Sequence, residues 1–313
     1  MYKNKVIFLL SIIGILALLY AGSFIFSPEK SNKRIASFVL LDHNQSSGID
    51  KIVINTHEQE YELLNKNQDW FISLDGIEFP ARALRIEDFI SVFTKRDSWP
   101  VRANSASTHA SFGLDSTEAD RIILYNGNNA LLDVLVGYGS AFGSEVSIRK
   151  YAQNEVRSGD SRVRTYISSP VSSWYDLKLF PEEDGKTWSA DSVQQLTVIN
   201  DDGEQQVFNR QNRAWQVSNV SNPDNTMIES YIRTVLNTEG DNFIGLISNT
   251  EDFPAFARII VEFGNGKIET VHFSPPDESG NRFAYVYGKE YLYSVPAWSG
   301  NRLFREASSF EMQ

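Results

Sequence analysis

Residues 49–55 read IDKIVIN and residues 193–200 read VQQLTVIN. Each run is followed by a polar turn and a second apolar stretch. Then come Trp70-Phe71-Ile72-Ser73 and, 145 residues later, Trp215-Gln216-Val217-Ser218. A helical period follows in both places. Ile86, Phe89, Ile90 and Phe93 fall at i, i+3, i+4 and i+7, and so do Ile228, Tyr231, Ile232 and Val235. Beyond the helix, Arg121-Ile122-Ile123 matches Arg258-Ile259-Ile260. Both lead to turn signals, Asn126-Gly127 and Gly264-Asn265-Gly266. Five landmarks in one order predict a body made of two copies of one pattern.

Each copy reads β-β-β-α followed by a four-stranded meander. The meander strands are expected near Asp120–Asn126, Ala130–Gly137, Glu145–Tyr151 and Arg162–Ser168 in the first copy. In the second they are expected near Ala257–Phe263, Lys267–Ser274, Arg282–Gly288 and Glu290–Val295. An antiparallel sheet needs its apolar face covered, and the amphipathic helix is the available cover. Pro170–Leu179 and Ser299–Glu306 are candidate short closing helices. The acidic, turn-rich stretch Pro181-Glu182-Glu183-Asp184-Gly185-Lys186 marks the boundary between the copies. The expected class is therefore α+β. It comprises an N-terminal transmembrane helix and two tandem repeats, each a mainly antiparallel sheet with an amphipathic helix. The divisions are 1–5 tail, 6–26 anchor, 27–37 linker, 38–180 first repeat, 181–191 inter-domain linker and 192–313 second repeat.

The anchor rests on Val6 to Phe26, VIFLLSIIGILALLYAGSFIF, which carries no charge. As a helix it is roughly 31 Å long, matching the hydrocarbon core of a bilayer. A cleaved signal has a shorter apolar core and a small-x-small site, of which Ala21-Gly22-Ser23 is a poor version. Lys3 and Lys5 favour a cytoplasmic N-terminus, whereas Lys30, Lys33 and Arg34 oppose it. The five-residue tail decides for N-in, with the body on the extracytoplasmic side. The linker spans at most about 28 Å between Ser27 and Arg34, which keeps the body near the bilayer.

The chain has 29 basic and 40 acidic residues, and its net charge of −11 argues against a nucleic-acid surface. With no cysteine, disulfides, thiolate metal sites and cysteine nucleophiles are excluded. His43, His57, His109 and His272 are scattered and lack metal-ligand spacing. Asp201-Asp202-Gly203-Glu204, Glu182-Glu183-Asp184 and Glu251-Asp252 read as turns and loops rather than calcium loops. Gly137-Tyr138-Gly139-Ser140-Ala141-Phe142-Gly143 lies between two strands, so it reads as a long hairpin loop and not a phosphate cradle. No nucleophile elbow is present. Catalytic residues, cofactor and metal are therefore all expected to be none.

One cluster stands out. Arg149, Lys150, Arg157, Arg162 and Arg164 fall within 16 residues of an acidic chain. On paired strands they would form a basic stripe, a possible contact for an acidic partner or lipid headgroups. The plainer reading is a solvated sheet face with local ion pairs.

A resemblance enters between Ser111 and Ser168. Ser111-Phe112-Gly113-Leu114-Asp115 is followed by Arg121-Ile122-Ile123-Leu124, by Leu135-Val136-Gly137, and by a polar-aromatic strand. Thr165-Tyr166-Ile167-Ser168 and then Trp174 with Leu177 complete the order. This order resembles the bacterial family called domain of unknown function 4340, over about residues 40–310. Members are typically encoded beside an ABC-type ATPase, its permease and a gliding-motility-type auxiliary membrane protein. The resemblance implies a non-catalytic accessory or scaffold subunit of such a transport complex, with those proteins as partners. The alternative expectation is a lipid- or glycan-binding carrier or sensor using the cleft between the two repeats.

Overall fold

The computed structural model describes residues 39–95, 99–115, 117, 119–139, 145–180, 188–212, 214–247, 253 and 256–312. The expected anchor and linker lie outside these. Among the described residues no helix is long and apolar enough to cross a membrane. The chain divides into two compact units, one ending at Trp174 and one beginning at Tyr175. Each is built on an antiparallel sheet with few helices, so the class is α+β.

In the first unit a short helix α1 (His43–Ser46) precedes strands β1 (Lys51–Asn55), β2 (Glu60–Lys66), β3 (Asp69–Leu74) and β4 (Ile77–Pro80). Helix α2 (Ala83–Thr94) follows, then β5 (Val101–Ala103), β6 (Asp120–Asn126), β7 (Asn129–Gly139), β8 (Glu145–Lys150), β9 (Val156–Asp160) and helix α3 (Arg162–Ile167). The sheet order is β4-β3-β2-β1-β6-β7-β8-β9-β5. In the second unit come β10 (Val193–Ile199), β11 (Gln205–Gln211), β12 (Ala214–Val217), α4 (Asn225–Leu236) and β13 (Asn242–Leu246). They are followed by β14 (Ala257–Phe263), β15 (Ile268–Phe273), β16 (Arg282–Val286), β17 (Tyr291–Val295) and α5 (Ala297–Leu303). Its order is β12-β11-β10-β14-β15-β16-β17-β13. Leaving aside β4, the two orders are the same.

The helices correspond residue by residue. Both are 12 residues long, and positions 4, 7, 8 and 11 are buried in each. These are Ile86, Phe89, Ile90 and Phe93 in α2, and Ile228, Tyr231, Ile232 and Val235 in α4. Such a stripe lays one helix face on the sheet and leaves the other in water. The Asp224 carboxylate accepts from the Met227 N–H at 3.1 Å, capping α4, whereas α2 starts at Arg82 without a side-chain cap.

Aromatic rings fill both cores. Phe89 packs against Phe93 and Trp174, with centroids 5.3 and 5.5 Å away, and Trp174 donates to the Tyr61 hydroxyl at 3.0 Å. Burial pushes the Tyr61 phenol up to about 12 despite that hydrogen bond. In the second unit Phe208, Tyr231 and Phe310 pack together at 4.9 to 5.4 Å.

Four sequence expectations change. Arg162–Ser168 is not a strand. The last meander strand is Val156–Asp160, and residues 162–167 are helical. Val163 and Ile167 are buried while Thr165 is exposed, which is a helical rather than an alternating period. The Asp160 carboxylate also accepts the Arg162 N–H at 2.9 Å, turning the chain out of the sheet. Second, each unit contains a strand between its helix and its meander, β5 and β13. Each adds to the far edge of its sheet, on β9 and β17. Third, residues 175–180, expected in the first repeat, belong to the second unit. Leu177 C=O accepts from Gly240 at 2.8 Å, and Leu179 N–H donates to Thr238 at 3.1 Å. The expected linker 181–191 lies partly outside the described residues. Fourth, the first closing element is a 3₁₀ turn, Val171–Trp174, while α5 supplies the second.

Candidate functional site

The five basic residues are not one stripe, because Arg162 and Arg164 sit on α3 rather than on a strand. Arg149 is buried. Its guanidinium donates to the carbonyls of Tyr151 at 2.8 Å, Gln153 at 3.0 Å and Leu114 at 3.1 Å. Burial lowers its pKa, with Asp115 opposing. Arg157 bonds Glu155 at 2.6 Å and the Trp99 carbonyl at 2.7 Å. Arg162 bonds the Asp160 carboxylate at 2.7 and 2.9 Å, and that pairing raises its pKa. Arg164 bonds Asp120 and the carbonyls of Val136 and Gly137. Lys150 ends β8, half-buried, opposite Val134 of β7. Arg149 and Arg164 thus serve as internal clamps on backbone carbonyls, and Arg157 and Arg162 are matched by neighbouring acids.

The histidines are also spread over separate structures. The His57 Nδ1 and its backbone N–H both lie 3.3 Å from Asp120, which joins them to the Arg164 pair. Asp120 therefore ties the β1–β2 turn and α3 to the start of β6. His109 is buried with Nε2 3.0 Å from the Asn154 carbonyl. His43 lies in α1 at the surface. No group of three or more histidine and acidic side chains among the described residues is arranged to hold a metal. Of the glycine-rich stretch, residues 140–143 lie outside the described residues. Gly137 is needed for close approach, since a Cβ there would fall 2.1 Å from the Phe112 carbonyl.

A different feature emerges from the faces of the two sheets turned away from α2 and α4. In the first unit that face is closed by charge and by chain. Lys51 pairs with Glu62 at 3.9 Å and lies 4.6 Å over the Tyr125 ring. Arg121 bonds both oxygens of Asp133 at 2.7 and 2.9 Å and lies 4.0 Å over Tyr151. Beside them Leu135 and Val156 are buried under Leu114 and Phe112.

The equivalent face of the second unit is aromatic. Register pairing sets Arg258, His272, Tyr285 and Leu292 in one row across β14 to β17. The His272 ring stacks on Tyr285 at 4.9 Å, and Phe253 meets Tyr285 edge-on at 5.3 Å. Burial, with Arg258 second, lowers the His272 pKa, and its Nδ1 has no hydrogen-bond partner. Around this row Phe283 is 51%, Ile268 60% and Tyr287 67% exposed. Clustered exposed apolar side chains of this kind mark a surface that another molecule covers. The sequence reading missed it because Phe283 and Tyr287 look like ordinary strand aromatics until the register shows that they share a face.

No model of a known family, no curated protein and no solved structure matches this chain.

Proposed function

We propose that this chain is a non-catalytic, membrane-tethered accessory subunit of an ABC-type transport complex of the gliding-motility type. Its anchor is the uncharged run Val6–Phe26, with the two units on the extracytoplasmic side of a bacterial inner membrane. On this reading the two units are tandem repeats that have diverged on one face. The observation that carries the proposal is that divergence. The face that is an ion-paired lattice in the first unit is a patch of exposed aromatics in the second. A partner in the same membrane is the fitting occupant, because a linker of residues 27–37 holds the body within about 40 Å of the bilayer even when fully extended. Tethering also raises the effective concentration, so a modest patch suffices for association. Lys150 adds charge at another surface, whereas Arg149, Arg157, Arg162 and Arg164 are committed to partners within the first unit.

The test is to extract a tagged full-length chain mildly from its native membrane and identify what it retains. Recovery of a permease and its ATPase is expected. Phe283→Ser with Tyr287→Ser should abolish recovery while leaving thermal unfolding unchanged. Retention of a stoichiometric lipid with no membrane protein would overturn the proposal in favour of a carrier.

A further inference from the structure

A groove of about 320 Å³ opens within the second unit, between the C-terminal end of α4 and the start of α5. Asn237, Glu239 and Asp241 line one side, and Trp298 and Arg302 line the other. Trp298 and Arg302 are four residues apart on α5 and so project from the same helix face. Trp298 is 64% exposed although its helix neighbours Ser299, Gly300 and Leu303 are buried. A large ring that lines a groove and stays mostly exposed contributes little to packing. Two charged side chains of the lining also keep their hydrogen-bonding capacity. Neither the Asp241 carboxylate nor the Arg302 guanidinium forms an ion pair or side-chain hydrogen bond within the described residues. The Asn237 amide nitrogen is committed to the Arg233 carbonyl at 2.8 Å, and its oxygen is left to accept.

We propose that this groove binds a neutral or amino-bearing saccharide, with Trp298 as the stacking platform for a pyranose ring. A pyranose has one face of polarised C–H groups, which the negative face of an indole attracts. Its rim of hydroxyls needs both acceptors and donors, and Asp241 and Arg302 supply one of each. The Asp241 carboxylate offsets the Arg302 guanidinium, so the groove lacks the excess positive charge that phosphate, sulfate or carboxylate ligands need. The volume suits about one or two sugar rings, at the small end of ligand sites. This site is separate from the aromatic sheet face and does not depend on the transport-complex reading.

The experiment is calorimetric titration of the full-length chain, held in a detergent without a sugar headgroup. The probes are chitotetraose, cellotetraose and a heparin tetrasaccharide. Saturable binding of chitotetraose or cellotetraose is expected, with the heparin fragment weaker. Trp298→Ala should weaken binding about tenfold or more, and Trp298→Phe should retain part of it. Arg302→Ala, also at an exposed position, gives a second loss-of-binding variant if Trp298→Ala proves unstable. Thermal unfolding of the variants reports their folding independently. The proposal is overturned if neither neutral tetrasaccharide binds saturably at millimolar concentration, if the heparin fragment binds best, or if folded variants bind as the parent does.

Discussion

Trp70 and Trp215 hold the same place in their two sheets. Each is the second residue after a hairpin turn and pairs across it, Trp70 with Asn65 and Trp215 with Arg210. Two residues back along the partner strand stand Leu63 and Phe208, which pair with Ile52 and Leu196 on the next strand. Those pair in turn with Leu124 and Val261. One chain of registers thus runs through four strands of both units. The hairpin at Trp70 turns through Asn67 and Gln68, both with positive φ (56° and 77°), as a two-residue primed turn requires.

Both indoles are buried, Trp215 more completely. Trp70→Ala and Trp215→Ala are each expected to cost about 3–5 kcal/mol through cavity formation. Denaturant titration measures this, and a loss below about 1 kcal/mol at either site would contradict a core role.

The Arg164–Asp120 pair gives a second prediction. The Asp120 carboxylate is nearly buried and receives both Arg164 and His57. Arg164→Met leaves that carboxylate short of a partner and two carbonyls without their donor, at a cost of about 2–4 kcal/mol. Arg162→Met removes only an ion pair that is half in water, with an expected cost of about 0–1 kcal/mol. Equal losses in the two variants, read by chemical denaturation, would reject the assigned clamp role.

His272 makes stability depend on pH. Burial, and then Arg258, hold its pKa below the ordinary value, so the imidazole stays neutral to lower pH in the folded protein than in the unfolded chain. As pH falls through about 6.5 the unfolded chain takes up the proton first. Stability should therefore decline from there downward, until the pH passes the folded value. His272→Gln should flatten that part of the curve. An unchanged slope between pH 7 and 5 in thermal melts of this variant would contradict the assignment.

Much of this fold is legible in the sequence because its elements have strong periods. Ile86 to Phe93 and Ile228 to Val235 announce their helices through side-chain spacing alone, and Asp120–Asn126 announces its strand. What escaped was set by tertiary context. Val101–Ala103 is three residues long and takes its conformation from pairing with β9, so no local pattern identifies it. Arg162–Ile167 alternates on paper, yet it folds as a helix because Val163 and Ile167 reach the core together. The basic cluster misled for a related reason. Charge adjacency in sequence does not reveal that Arg149 is turned inward onto three carbonyls. The aromatic face and the Trp298 groove are products of register and helix placement, which composition does not contain.

The central claim is that the aromatic face of the second sheet docks on a membrane partner. A photo-crosslinking amino acid in place of Phe283 or Tyr287, activated in intact native membranes, tests it most directly. Glu62, on the ion-paired face of the first sheet, is the control position. The account predicts adducts to the transport permease or its auxiliary membrane protein from 283 and 287, and none from 62. Absence of any membrane-protein adduct from 283 and 287, or equal yield from 62, would contradict it.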